Sequence, residues 1–271
     1  MNAATVTDFA YDLGFQIKRF LDFEDAALAQ LSKAAALDSE ALQTLVSWTG
    51  KPVGDSRTEC RGETFPSKAV RNPVMRGCPV CLREDALNNR KNPAIVMVIR
   101  GDWLLREVGI CCRHHSPLIP LWENIRPAER FDSAGHLRDL APRIIAGELD
   151  RPLRAPSAYD LWLDQRLETG EDSSWLAEHD LFVATTICGL LGGVLLRDLT
   201  SEPTEPAERQ SAAQAAELEV LARGEAAFGA ALKELADGTE GSQIAPRRAF
   251  GKLYDALSTY LTDPGFEPAF G

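Results

Sequence analysis

The 271-residue chain carries 29 Lys and Arg against 40 Asp and Glu, a formal net charge of −11. A chain of this length buries a core without disulfides, and its acidic balance argues against a protein that coats nucleic acid by neutralising phosphates. No uninterrupted apolar run reaches the roughly 20 residues of a membrane span, and the opening MNAATVTDFAYDLG lacks the basic start and apolar run of a signal peptide. These features predict a cytoplasmic protein, in which the six cysteines are thiols or metal ligands rather than disulfides.

From Asp8 to Trp48 the pattern is helical. Leu28, Leu31, Ala35, Leu42 and Leu45 recur at spacings of three to four, and Asp38 is placed to cap a second helix, dividing the stretch into two. Helix, short turn, helix fits a DNA-reading helix-turn-helix, but a plain packed helical pair is the favoured reading, because any small helical domain produces this pattern. The second helix offers only Glu40, Gln43 and Thr44 as polar readers of bases.

Residues 50–77 mix Gly, Pro, Ser and Arg without a period and read as a connector. A β-branched run, AIVMVI at 94–99, predicts a strand. From 127 onwards the chain reads helical again, with breaks near 150–157, 169–174, 200–206 and 237–246. Within it Leu190, Leu191, Val194, Leu195 and Leu196 crowd a stretch where Gly189, Gly192 and Gly193 would admit a close neighbouring helix, and Cys188 reads as a small buried hydrophobe. The expected fold is mainly α, with helical domains around a small cysteine-bearing segment, read below as zinc-stabilised from its ligand spacing, and at most a short β element. Its expected regions are 1–50, 51–126 and 127–271.

The chemistry concentrates in 51–126, which is mildly basic with 13 Lys and Arg against 8 Asp and Glu. RGCPVCLREDALNN (76–89) offers Cys78 and Cys81, two residues apart in what reads as a turn. Only ICCRHHSPL (110–118) offers a matching pair, Cys111 with His114 or, equally, Cys112 with His115. Three thiolates and an imidazole form a closed tetrahedral zinc site, although a gap of 29 residues between the pairs is long for a compact finger. A redox CxxC would open a helix in a βαβ unit, which the surroundings do not suggest. A Cys/His nucleophile would need a third, orienting group. Glu84 and Asp85 read as solvated turn residues, and neither GxxxxGK[ST] nor GxGxxG occurs.

CPVCLREDA followed by WLLREVGICCRHHSPLI resembles the TniQ family, whose zinc-binding half reads CPxCLxED, then W, an apolar run, CxxH and PL. Pro117 and Leu118 set the register of that resemblance, which implies Cys78, Cys81, Cys111 and His114 as ligands of one zinc ion and leaves Cys112 and His115 at variable positions. AYDLWLDQRL, SWLAEHDLFVATTICGLLGG and RRAFGKLYDALSTYLTDPGFEPAF look like the helical region of stand-alone bacterial members. The resemblance implies a non-catalytic adaptor in DNA transposition that links DNA or a guide-RNA complex to an AAA+ ATPase regulator, with a homodimer left open. Its rival is an interaction scaffold of the same fold that binds no DNA. Arg76, Arg83, Arg90, Lys91, Arg100, Arg106 and Arg113 lie nearest the expected site and are the candidates for contact with phosphates rather than base edges.

Overall fold

The computed structural model describes residues 6–70, 72–89, 91–123, 133–195, 206–237 and 254–255. The chain divides into two compact units, Met1–Ala155 and Pro156–Gly271. Each is built around its own core.

The first unit opens with four helices where the periodicity predicts two: α1 (Val6–Asp12), α2 (Ile17–Leu21), α3 (Asp25–Ala35) and α4 (Ser39–Thr49). The additional breaks fall where the backbone turns left-handed, at Gly14 (φ +80°) and Phe23 (φ +56°). Asp38 caps α4 as expected, its carboxylate accepting from the Ala41 amide at 2.8 Å. Burial is shallow here, with Ala27 the buried residue of α2 to α4.

Residues 50–77 are a sheet rather than a connector. Strands β1 (Lys51–Val53), β2 (Arg57–Cys60) and β3 (Glu63–Pro66) pair antiparallel in that order. Arg61 and Gly62, both left-handed at φ +55° and +78°, make the two-residue turn between β2 and β3 that suits a twisted hairpin. Arg61 also ties the sheet to α4, its guanidinium 4.8 Å from the centre of the Trp48 ring.

After the single turn α5 (Ser67–Val70) come β4 (Val74–Gly77), α6 (Pro79–Leu87), two short 3-10 turns (Pro93–Ile95 and Gly101–Leu104), β5 (Ile110–Cys111), β6 (Ser116–Pro117), β7 (Ile119–Glu123) and α7 (Ser133–Ile145). Strand β4 pairs antiparallel with β7, with a register shift between Met75 and Arg76, and β5 pairs with β6 as a small hairpin. The described residues are therefore mostly helical but carry three small antiparallel sheets, more β structure than the sequence predicts.

The strand expected at 94–99 does not form. Ala94 and Met97 are buried while Ile95 and Val98 are exposed, a spacing of three where a strand needs two. Pro93 starts a 3-10 turn, and the Val98 amide donates to the Asp85 carboxylate at 3.0 Å instead of to a neighbouring strand. The core around α6 includes Leu82, Ala86, Trp103, Ile119, Leu137 and Ile144. A Cβ on Gly77 would lie 2.9 Å from the Trp103 ring, so a bare backbone is required immediately before Cys78.

The second unit holds α8 (Ala158–Thr169), a 3-10 turn (Trp175–Glu178), α9 (Leu181–Leu195), α10 (Pro206–Leu221) and α11 (Glu225–Asp237). Ser157 and Asp160 form a reciprocal capping box at the start of α8. Its core includes Tyr159, Leu176, Leu181, Ile187, Leu191 and Leu221. Among the described residues no helix is long and apolar enough to cross a membrane.

Cys188 is fully buried on α9, as expected, and burial raises its thiol well above the ordinary range. Gly189 does not mark a close approach: a Cβ there would meet no atom within 4 Å. Leu196, the break at 200–205 and most of the carboxyl-terminal stretch lie outside the described residues.

A buried polar knot closes the loop after α8. Arg166 donates to Asp172 Oδ2 at 3.0 Å and to the carbonyls of Leu176 and His179 at 2.8 and 2.6 Å. The Trp162 indole donates to the same Asp172 oxygen at 2.9 Å, and the Ser174 amide and hydroxyl donate to the other at 2.8 and 2.7 Å.

Candidate metal centre

Pro79 fixes the first residue of α6, where a missing N–H costs nothing, and this makes Cys78 the N-cap. Its Sγ accepts from the Cys81 amide at 3.5 Å. Both thiols therefore sit in the first turn of a helix, where the unpaired amides favour negative charge on sulfur. Cys111 ends β5, and the β5–β6 hairpin returns through residues 112–115 so that His114 faces it, the turn closing with His115 left-handed at φ +52°.

These two elements bring four ligand atoms together. Cys81 Sγ lies 3.7 Å from Cys111 Sγ and 3.2 Å from His114 Nδ1. His114 Nδ1 is 3.7 Å from Cys78 Sγ and 3.6 Å from Cys111 Sγ. All four donors lie within 4.8 Å of one another. The three cysteines are buried and free of disulfides. A tetrahedral ion with Zn–S and Zn–N bonds of about 2.3 and 2.0 Å places its ligands roughly 3.5–3.8 Å apart, so the donor set and its spacing fit a metal ion.

Among the protein groups alone, the clustering divides the thiols. Hydrogen bonds from Cys111 and Cys81 hold Cys78 far below the ordinary thiol range, and the bonds that Cys111 and Cys81 contribute push both of their own thiols up, Cys81 most strongly. One thiolate is supported by two thiols; a divalent cation would support three thiolates.

Cys112 and His115 are outside the cluster. Cys112 is half-buried and His115 exposed, so the geometry selects Cys111 with His114 from the two pairs that spacing alone leaves equal.

Glu84 and Asp85 are not solvated turn residues. Both lie on α6 and both are engaged. Glu84 Oε1 is 3.1 Å from His114 Nε2, and its other oxygen pairs with Arg113 at 2.8 Å. Asp85 accepts from Arg100 at 3.0 and 3.2 Å as well as from the Val98 amide. Pro79 carried the signal: a helix beginning there puts Glu84 one turn beyond Cys81 on the same face.

The described basic candidates differ in their surroundings. Arg76 turns inward, donating to the carbonyls of Leu105 and Arg106, and burial lowers its pKa. Arg83 pairs with Asp150 at 2.8 Å, Arg100 with Asp85 and Arg113 with Glu84. Lys91 and Arg106 are exposed, and Arg90 lies outside the described residues.

Fold and site together define a mainly helical protein whose first unit carries a Cys3His cluster able to hold a metal ion. Residues 1–118, somewhat under half of the chain, match the family TniQ, a transposition-associated family, and the matched stretch ends just beyond His114 and includes all four clustered residues. No curated protein and no solved structure matches the chain.

Proposed function

We propose that the chain is a zinc-binding, non-catalytic adaptor of a DNA transposition system, linking target DNA or a guide-RNA targeting complex to an AAA+ ATPase regulator. The observation that carries this reading is the coincidence of the four-ligand cluster with the TniQ stretch. Three thiolates with one imidazole suit zinc among the divalent metals. A closed set of four ligands leaves no position for a reacting water, so the ion holds the fold and does no chemistry. Cys78, Cys81, Cys111 and His114 would hold one zinc per chain.

The second reading, a scaffold of the same fold that binds no DNA, is favoured by the pairing of Arg83, Arg100 and Arg113 with acidic side chains. Metal analysis and a salt titration separate the alternatives. The adaptor contains about one zinc and retains duplex DNA at low salt, with log affinity falling by about 0.9 per phosphate contact for each log of salt. Zinc without DNA binding at low salt selects the scaffold. Absence of zinc after purification without chelator overturns the metal centre. Co-purification with an AAA+ ATPase encoded beside it tests the partner.

A further inference from the structure

We propose that Glu84 is a positioning residue of the metal centre, holding His114 in the tautomer that carries its proton on Nε2 and leaves Nδ1 free to coordinate. The proposal rests on the metal-centre reading. A neutral imidazole has one N–H and one lone pair. Nδ1 faces the three sulfurs at 3.2 to 3.7 Å, so coordination through it places the proton on Nε2, which lies 3.1 Å from Glu84 Oε1. An ionised carboxylate only accepts, and it therefore selects that tautomer and fixes the ring plane. A ligating histidine whose other nitrogen donates to a carboxylate is also the stronger base toward the metal.

The two bonds of Glu84 differ in weight. Arg113 is 67% exposed at its side chain, and an ion pair in water contributes little. The His114 side chain is 12% exposed and that of Glu84 43%, so the contact is shielded from solvent on the histidine side. Asp85 acts elsewhere, fastening Val98 and Arg100, which lie within the 29 residues between the two ligand pairs. The adjacent acids thus secure the second ligand pair and the span leading to it.

The test uses the full chain loaded with zinc, read by competition with a chromogenic chelator and by the ring 15N signals of His114. Glu84→Ala is expected to lower zinc affinity about 10–100-fold and to give a mixture of His114 tautomers. Glu84→Gln, which keeps an acceptor oxygen, recovers most of the affinity. Arg113→Met stays within about threefold of the parent, as expected for an exposed pair.

Unchanged affinity and ring signals in Glu84→Ala, with the parent binding zinc, overturn the role of Glu84 alone. A parent that binds no zinc overturns the metal centre and this role with it. Should Glu84→Ala fail to fold, the parent's ring signals still decide: coordination through Nε2 overturns the proposal and coordination through Nδ1 with a protonated Nε2 supports it.

Discussion

The two units of this chain solve the same problem with different materials. In the first, residues 30 to 36 positions apart, on α6 and the β5–β6 hairpin, are brought together in a cluster of thiols and an imidazole. In the second, the loop after α8 is joined by Arg166 and Asp172, whose side chains are 5% and 3% exposed. The second knot is complete within the polypeptide, because the carboxylate is matched by a guanidinium, an indole and a serine. The first concentrates donors that repel one another once deprotonated, and its full strength requires a cation. Under the metal-centre reading proposed above, stability of the first unit depends on metal supply and that of the second does not.

The sharpest way to break this comparison is to remove a ligand. Cys78→Ser, or chelation of the parent, should unfold the segment around α6 and the β5–β6 hairpin, since binding energy in structural zinc sites is folding energy of about 10–16 kcal/mol in small peptides. Hydrogen exchange should rise across residues 78–118 and stay unchanged in α8. Equal loosening of both units would show that the metal is not the specific support of the first.

Next in size is the second knot. Asp172→Ala leaves a buried guanidinium without its partner and should cost about 3–5 kcal/mol, with exchange rising in α8 and not in α6. The same carboxylate gives an acid limb. Burial pushes the Asp172 carboxyl up, but hydrogen bonds from Ser174 and Trp162 and the charge of Arg166 outweigh it and hold the pKa below the usual carboxylate value. Its stabilisation is complete above the ordinary carboxylate range of the unfolded chain and is lost as pH falls through the lower folded value. Asp172→Asn should flatten that limb in a melting series followed at α8.

Two glycines refine the contrast. Gly101→Ala would put a Cβ 2.7 Å from Trp48 and should destabilise the first unit by about 1–3 kcal/mol through overpacking. Gly189→Ala, on a helix in open space, should stabilise the second unit by up to about 1 kcal/mol. Thermal melts of both variants check the opposite signs.

Cys112→Ser gives the smallest effect. Zinc content should be unchanged and stability within about 0.5 kcal/mol of the parent, by metal analysis and denaturant titration. Loss of zinc would move the ligand register by one residue.

Helix signals near caps were legible in the sequence. Asp38 declared the start of α4, and Pro79 declares α6 once its position after Cys78 is taken as the first helical residue. The four residues that cluster followed from paired spacing and the family resemblance. The sheet of β1 to β3 was hidden because its strands have only three or four residues, too few to establish an alternation, and its information lies in the Arg61-Gly62 turn. The run at 94–99 misled because β-branched composition was stronger than the actual burial spacing of three. The engagement of Glu84 and Asp85 depends on residues 13 to 30 positions away, which spacing within the motif cannot register.

The amide of Arg154 donates to the carbonyl of His115 at 2.8 Å, and the first unit ends at Ala155. The exit of the chain is thus moored to the residue next to a metal ligand. Loss of the hairpin would therefore release the last residues of the first unit together with the clustered side chains, and exchange at the Arg154 amide would report on the cluster from 40 residues away.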